Sequence, residues 1–172
     1  MAFALPRALT RAARASAAAP ALPSRFFSSS ARALGPAYTA HAVASGAGRN
    51  GEVKLTSGKD LSLKLAMPKE LGGDGNGHNP EQLFSSGYAS CFLSALQLVA
   101  RESKVKIPED IAINADVTIA KSDDGFGLSV VLTGKSSKLE KSELEKLMHE
   151  AHKVCPYSKA TRGNIPVELK VA

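Results

Sequence analysis

The run Asn79-Pro80-Glu81-Gln82-Leu83-Phe84-Ser85-Ser86-Gly87-Tyr88-Ala89-Ser90-Cys91-Phe92-Leu93, continuing to about Val99, constrains this chain more than any other stretch. Its first residues spell a helix start. Asn79 can cap, Pro80 suits the first helical position, and Gln82, three residues past the cap, can return a capping-box bond. Beyond them Leu83, Phe84, Tyr88, Ala89, Cys91, Phe92, Leu93, Ala95, Leu96, Leu98 and Val99 fill most of the helix circumference. A helix apolar on nearly all sides is expected to be surrounded by protein. A small domain has trouble covering it alone, so a dimer is expected.

The remaining pattern supplies strands around this helix. Tyr38 to Ser45 alternates, a Gly-rich turn follows at Gly46-Ala47-Gly48-Arg49-Asn50-Gly51, and Glu52 to Leu55 and Leu61 to Ala66 read as short strands. Met67 to His78 is a loop, and the central helix fades at Arg101 to Lys106 and stops before Pro108. Ile111, Ile113, Ala115, Val117 and Ile119 alternate with polar residues, as do Phe126, Leu128, Val130 and Leu132, with Asp123-Asp124-Gly125 between them. That is a hairpin with one buried face. Ser142 with Glu145 forms a capping-box signal for a second helix bearing Leu144, Leu147, Met148, Ala151 and Val154 or Cys155, ended by Cys155-Pro156. Val167, Leu169 and Val171 make a last strand. The order predicts an α+β fold in which a mostly antiparallel sheet covers a buried helix.

The N-terminal 34 residues do not belong to that pattern. Met1 to Leu34 contains five arginines, no lysine and no acid, with an excess of alanine and serine. This is the composition of a mitochondrial transit peptide. Arg7, Arg11 and Arg14 cluster on one side of a hypothetical helix, and Arg11 and Arg14 interrupt the only candidate for a secretory apolar core. Arg25-Phe26-Phe27-Ser28 resembles an arginine-directed matrix-processing site, with cleavage after Phe27 or near Leu34. The folded domain is therefore expected over 35–172, in the mitochondrial matrix. Without the extension, 17 Lys and Arg face 16 Asp and Glu, so the formal net charge of +6 describes the extension. A nucleic-acid reading loses its support, because no basic cluster with interleaved aromatics remains. No run approaches the length of a transmembrane helix.

The chain has two cysteines, Cys91 and Cys155, one on each helix. In a reducing matrix a structural disulfide is disfavoured, which leaves a transient catalytic pair or two buried apolar thiols. An apolar setting raises a thiol pKa, so a reactive Cys91 needs a cation beside it. Arg49, flanked by glycines in its turn, is the candidate, and Glu81 is the candidate carboxylate to hold it. In a straight helix Glu81 and Cys91 lie about 15 Å apart along the axis. Both can touch Arg49 only if the helix breaks at Ser85-Ser86-Gly87 or the groups come from two chains. His149, His152 and Cys155 are spaced three apart, a spacing that drifts around the helix and lacks a fourth ligand. Gly58-Lys59-Asp60 lacks the phosphate-loop spacing, and Gly72-Gly73-Asp74-Gly75-Asn76-Gly77 follows no dinucleotide pattern.

Four blocks, in order, carry a resemblance: Gly48-Arg49-Asn50-Gly51, Asn79-Pro80-Glu81-Gln82-Leu83-Phe84 leading to Cys91, Phe126-Gly127-Leu128, and Val154-Cys155-Pro156-Tyr157-Ser158 with Ala160-Thr161-Arg162-Gly163-Asn164. From about Tyr38 to the C-terminus the chain resembles the organic hydroperoxide resistance proteins of the OsmC (osmotically inducible protein C) superfamily. The resemblance implies an intertwined homodimer with two sites at the subunit interface and a thiol peroxidase that reduces alkyl and fatty-acid hydroperoxides to alcohols. It implies Cys91 as the peroxidatic thiol, Cys155 as the resolving one, Arg49 as the thiolate-stabilising cation and Glu81 as its partner. No bound cofactor is implied. The reductant would be an external dithiol, a dihydrolipoyl group on a lipoylated dehydrogenase subunit. Asn50 departs from the aspartate often found there in the family. The competing readings are a non-catalytic lipid or acyl-binding module of the same fold and an OsmC-type peroxidase with another reductant.

Overall fold

The structure, a computed structural model, describes Met1, Gly35, residues 37–123 and residues 125–172. The chain divides into Met1–Tyr38 and Thr39–Ala172, and the second unit carries all the secondary structure among the described residues. Apart from Met1, the expected targeting segment over 1–34, with Arg7, Arg11, Arg14 and the Arg25-Phe26 stretch, lies outside the described residues.

Strands β1 (Ala42–Ser45), β2 (Glu52–Leu55) and β3 (Leu61–Lys64) form one antiparallel sheet in chain order. Strand β1 begins later than its alternation predicts, because β2 offers only four residues to pair with it. The central helix α1 (Pro80–Glu102) follows, then the hairpin of β4 (Ala112–Ser122) and β5 (Gly125–Lys135). Helix α2 (Lys141–Val154), a short helix α3 (Pro156–Thr161) and β6 (Val167–Val171) complete the chain. Strand β6 pairs in parallel with β5, so the described strands form two three-stranded sheets, antiparallel apart from β5–β6.

Helix α1 starts as its residues dictate. Asn79 Oδ1 accepts from Gln82 N at 2.9 Å, and Gln82 Oε1 accepts from Asn79 N at 3.1 Å. With Pro80 at the first helical position, the orphan donors of the first turn are partly satisfied before any tertiary contact forms. At 23 residues α1 is long and apolar enough, by length and composition, to cross a membrane. That corrects the expectation that no run reaches such a length: Ser85, Ser86, Ser90 and Ser94 interrupt the apolar run but not the helix. In this fold its apolar side serves the core instead.

Tyr88, Phe92, Ala95, Leu96, Val99 and Ala100 on α1 pack with Val130 and Leu132 of β5 and Leu144, Leu147, Met148 and Ala151 of α2. Each large apolar side chain so buried stabilises the fold by roughly 1.5–3 kcal/mol. Strand β5 passes α2 closely at Gly134, where a Cβ would come within 2.4 Å of Met148 Sδ. The expectation of a helix covered all round is met on this face only within the single chain. The first sheet also keeps apolar surface: Ala42, Val53, Leu55, Leu61, Leu63 and Leu83 line a groove of about 210 Å³.

Two local expectations need correction. Ser142 does not cap α2, because the helix begins two residues earlier than such a cap would set it, at Lys141, with the Glu140 carbonyl accepting from Glu143 N and Leu144 N at 3.0 Å each. Cys155-Pro156 does end α2, but the chain becomes helical again at once. The residue before a proline is pushed to an extended ψ, here 125° at Cys155, and the proline then fits the first position of α3. Cys155 is thus the hinge residue between two helices.

Replacing Asn79 with alanine is expected to lower stability by about 1 kcal/mol through loss of the capping box. Urea unfolding monitored by circular dichroism measures it.

Candidate active site

Arg49 is presented by a tight turn. Gly51 has no room for a side chain, since a Cβ there would stand 2.1 Å from the Ser45 carbonyl oxygen, and Gly48 takes φ +58°. Asn50 Oδ1 accepts from Met67 N at 2.9 Å and ties the turn to the loop that leads into α1. An amide oxygen serves there as a carboxylate oxygen would, so the departure at Asn50 keeps the acceptor. The turn delivers the Arg49 guanidinium to Glu81 in the first turn of α1. Arg49 Nη1 donates to Glu81 Oε2 at 2.9 Å and Nη2 donates to Oε1, a two-pronged charge-assisted pair. The hydrogen bonds from Arg49 hold the Glu81 carboxyl below the usual carboxylate range, and Glu81 in turn raises the guanidinium. A cleft of about 320 Å³ beside the pair is lined by Glu81, Ser85, Val117 and Ile119 among others.

The two cysteines come together near the middle of α1. They are free thiols, and the Cys155 thiol donates towards Cys91 Sγ at 3.7 Å. Sequence separation is 64 residues, so only the docking of α2 and α3 on α1 makes this contact. Cys155 is fully buried and Cys91 partly so. Burial among apolar side chains pushes the Cys91 thiol up, and its Cys155 neighbour adds to that. A backbone hydrogen bond from Tyr157 at the start of α3 works in the opposite direction.

An aromatic cluster that the sequence pattern did not single out as functional belongs to the same core as the thiols. Tyr157 lies 5.8 Å from Phe84 and 5.6 Å from Tyr88 between ring centroids, and Tyr88 lies 6.4 Å from Phe92. Gly87 is the seat for Tyr157, since a Cβ there would approach the Tyr157 hydroxyl to 2.8 Å. The signal available in the sequence was the spacing of Phe84, Tyr88 and Phe92, one ring per turn, beside Cys91. Ser85-Ser86-Gly87 therefore makes a notch rather than a break, and α1 continues through it unbent in hydrogen-bonding pattern.

The structure brings together Arg49 with Glu81, and Cys91 with Cys155. Among the described residues no hydrogen bond or ion pair joins the two halves, in keeping with about 15 Å of unbroken helix between Glu81 and Cys91. Of the two ways sequence reasoning left for uniting them, a broken helix is excluded. His149, His152 and Cys155 do not converge, and no group of three or more His, Cys, Asp or Glu among the described residues is placed to hold a metal ion.

The chain that carries this arrangement has relatives among known proteins. The description "OsmC-like protein" matches residues 73–170, and the chain belongs to that family. Within it, the relatives found bear a more particular name. The organic hydroperoxide resistance protein of Xanthomonas axonopodis pv. citri (strain 306) is 49% identical over 136 residues, spanning 78% of this chain and 94% of its own. The organic hydroperoxide resistance protein OhrA of Bacillus subtilis (strain 168) is 47% identical over 142 residues, spanning 80% and 97%. A solved organic hydroperoxide resistance protein from Legionella pneumophila superposes with a TM-score of 0.74 at 46% identity, over 80% of this chain and 99% of that one.

The Arg49–Glu81 pair has a pH signature. A carboxyl whose folded pKa is depressed contributes stability that is complete above its unfolded pKa and is lost as pH falls through the folded value. Arg49→Ala is therefore expected to be less stable than the parent near neutrality, with the difference vanishing in acid well below the carboxylate range. Urea unfolding at the two pH values checks it.

Proposed function

We propose that this protein is a thiol peroxidase that reduces organic hydroperoxides to alcohols, working as a homodimer through Cys91 and Cys155. The observation that carries the reading is the free thiol pair at 3.7 Å, packed with apolar and aromatic side chains in a chain whose relatives are named for organic hydroperoxide resistance. The Cys91 thiolate attacks one peroxide oxygen. The S–O bond forms as the O–O bond breaks, the departing alkoxide takes a proton to become the alcohol, and Cys91 is left as a sulfenic acid. Cys155, as thiolate, then attacks the Cys91 sulfur; the S–S bond forms, the S–O bond breaks and hydroxide leaves as water once protonated. An external dithiol reopens the disulfide by exchange. Apolar walls favour an alkyl chain over hydrogen peroxide, at about 0.8 kcal/mol per buried methylene.

This chemistry needs a cation at Cys91, because burial alone raises its pKa, and among the described residues of one chain no cation is paired with it. We assign that cation to Arg49 of a second copy, held in place by Glu81. The unbroken helix supports this, as does the uncovered apolar surface of the first sheet, where Val43 is 54% and Leu61 45% exposed. The physiological reductant in this reading is a dihydrolipoyl group on a dehydrogenase subunit. The location is the mitochondrial matrix, where the composition of residues 1–34 would direct the chain and where lipoylated dehydrogenases reside.

Cys91→Ser is expected to abolish hydroperoxide consumption, and Cys155→Ser to permit one oxidation without efficient recycling by dihydrolipoamide. Peroxide loss and intact mass follow both. A wild-type protein that neither consumes an alkyl hydroperoxide nor forms the Cys91–Cys155 disulfide would instead be a binding module. The shared site has its own test: co-expressed Arg49→Ala and Cys91→Ser chains, each inactive alone, are expected to regain about a quarter of wild-type activity, since half the dimers are mixed and each carries one intact site. No recovery would place Arg49 and Cys91 in one chain's site.

A further inference from the structure

Helix α3 is six residues long, too short to be stable by itself, yet it carries the backbone that positions Cys155. Its buried side is polar. Ser158 is fully buried and Thr161 nearly so, and both hydroxyls meet that of Tyr88, itself fully buried on α1: Tyr88 Oη lies 2.9 Å from Ser158 Oγ and 3.3 Å from Thr161 Oγ1. Thr161 Oγ1 donates to the Ser158 carbonyl at 3.2 Å. With that proton committed, the other two have one consistent arrangement: Tyr88 donates to Thr161 Oγ1, and Ser158 donates to Tyr88 Oη. All three hydroxyl protons are then used inside the core, where an unmatched one is strongly disfavoured.

The placement of this cluster relative to the thiols is its significance. Tyr88 stands three residues before Cys91, on the same side of α1, and Ser158 stands three residues after Cys155. The hydroxyls thus join the two cysteine-bearing segments one turn away from each sulfur, while Tyr157 rests in the Gly87 notch between them. We propose that Tyr88, Ser158 and Thr161 form a brace that seats α3 on α1 and holds Cys155 over Cys91, so that it sets how fast the disulfide closes. In its consequence for catalysis this rests on the peroxidase reading above. Once Cys91 is a sulfenic acid, two reactions compete. Cys155 displaces the oxygen as water, or a second hydroperoxide transfers an oxygen, giving Cys91 sulfinic acid and another molecule of alcohol. A seated α3 favours the first. Tyr88 is a positioning residue here, acting through α3 and not on the peroxide.

The test does not depend on hydroperoxide. Equilibrating the folded protein in glutathione redox buffers measures how readily Cys91 and Cys155 close, and Tyr88→Phe, which removes both hydrogen bonds of that hydroxyl, is expected to lower the effective concentration of Cys155 at Cys91 about tenfold, towards the lower end of what two buried hydrogen bonds contribute. Ser158→Ala is expected to repeat the loss, and the double variant to add little to either, because both remove the same brace. Thr161→Ser, which keeps the hydroxyl, is expected to stay near wild type, while Thr161→Val falls; that pair decides the matter even if Tyr88→Phe fails to fold. Under excess alkyl hydroperoxide, intact mass is expected to show several-fold more Cys91 sulfinic acid, relative to disulfide, in Thr161→Val than in Thr161→Ser. Wild-type glutathione equilibria in Tyr88→Phe and Thr161→Val, or full additivity in the double variant, would overturn the brace. A wild-type protein inert to hydroperoxide would sink the peroxidase reading and leave the glutathione result readable.

Discussion

An unbroken helix of 23 residues sets the terms for everything else in this protein. Because each residue advances the axis by about 1.5 Å, a carboxylate in its first turn and a thiol near its middle cannot share one guanidinium on the same chain. The helix therefore presents two half-sites, the Arg49–Glu81 pair at its start and the Cys91–Cys155 pair near its centre. Each is complete as a contact. Among the described residues of one chain no hydrogen bond or ion pair links them, and the Cys91 thiol has its pKa raised by the burial that shelters it.

The two halves are also held differently. Arg49 reaches Glu81 from a turn whose glycines permit a close backbone approach, and its two-pronged pair is strong because both charges are partly shielded from water. Cys155 reaches Cys91 from the hinge between two helices, a hinge made by the restriction that Pro156 imposes on the residue before it. A hinge of that kind places a sulfur but does not by itself keep it there. The buried hydroxyls of Tyr88, Ser158 and Thr161 and the ring of Tyr157 in its notch supply the missing restraint.

The helix start at Asn79, the buried face of the hairpin and the apolar face of α2 could be read from residue spacing because each depends on local periodicity and capping. Cys91, Cys155, Arg49 and Glu81 could be named as candidates from residue type and setting. Other features were not legible. Helix α3 was hidden because Pro156 reads equally as a stop and as a first helical residue, and only the packing of Ser158 and Thr161 against Tyr88 decides between them. The role of Gly87 was misleading for a related reason: a small residue within a helix signals a bend or a contact with equal force, and here Tyr157 occupies the space.

The sequence by itself determined that one long, capped, nearly all-apolar helix carries a cysteine at its middle and a carboxylate at its start, and that they stand too far apart to meet in a straight helix. These are consequences of periodicity and rise, which are local. Only the tertiary structure decided that the helix stays intact, that Arg49 goes to Glu81, and that Cys155 closes on Cys91 across 64 residues of chain. Those pairings arise from how separate elements pack, and packing depends on the summed shape of surfaces that no single stretch of residues contains.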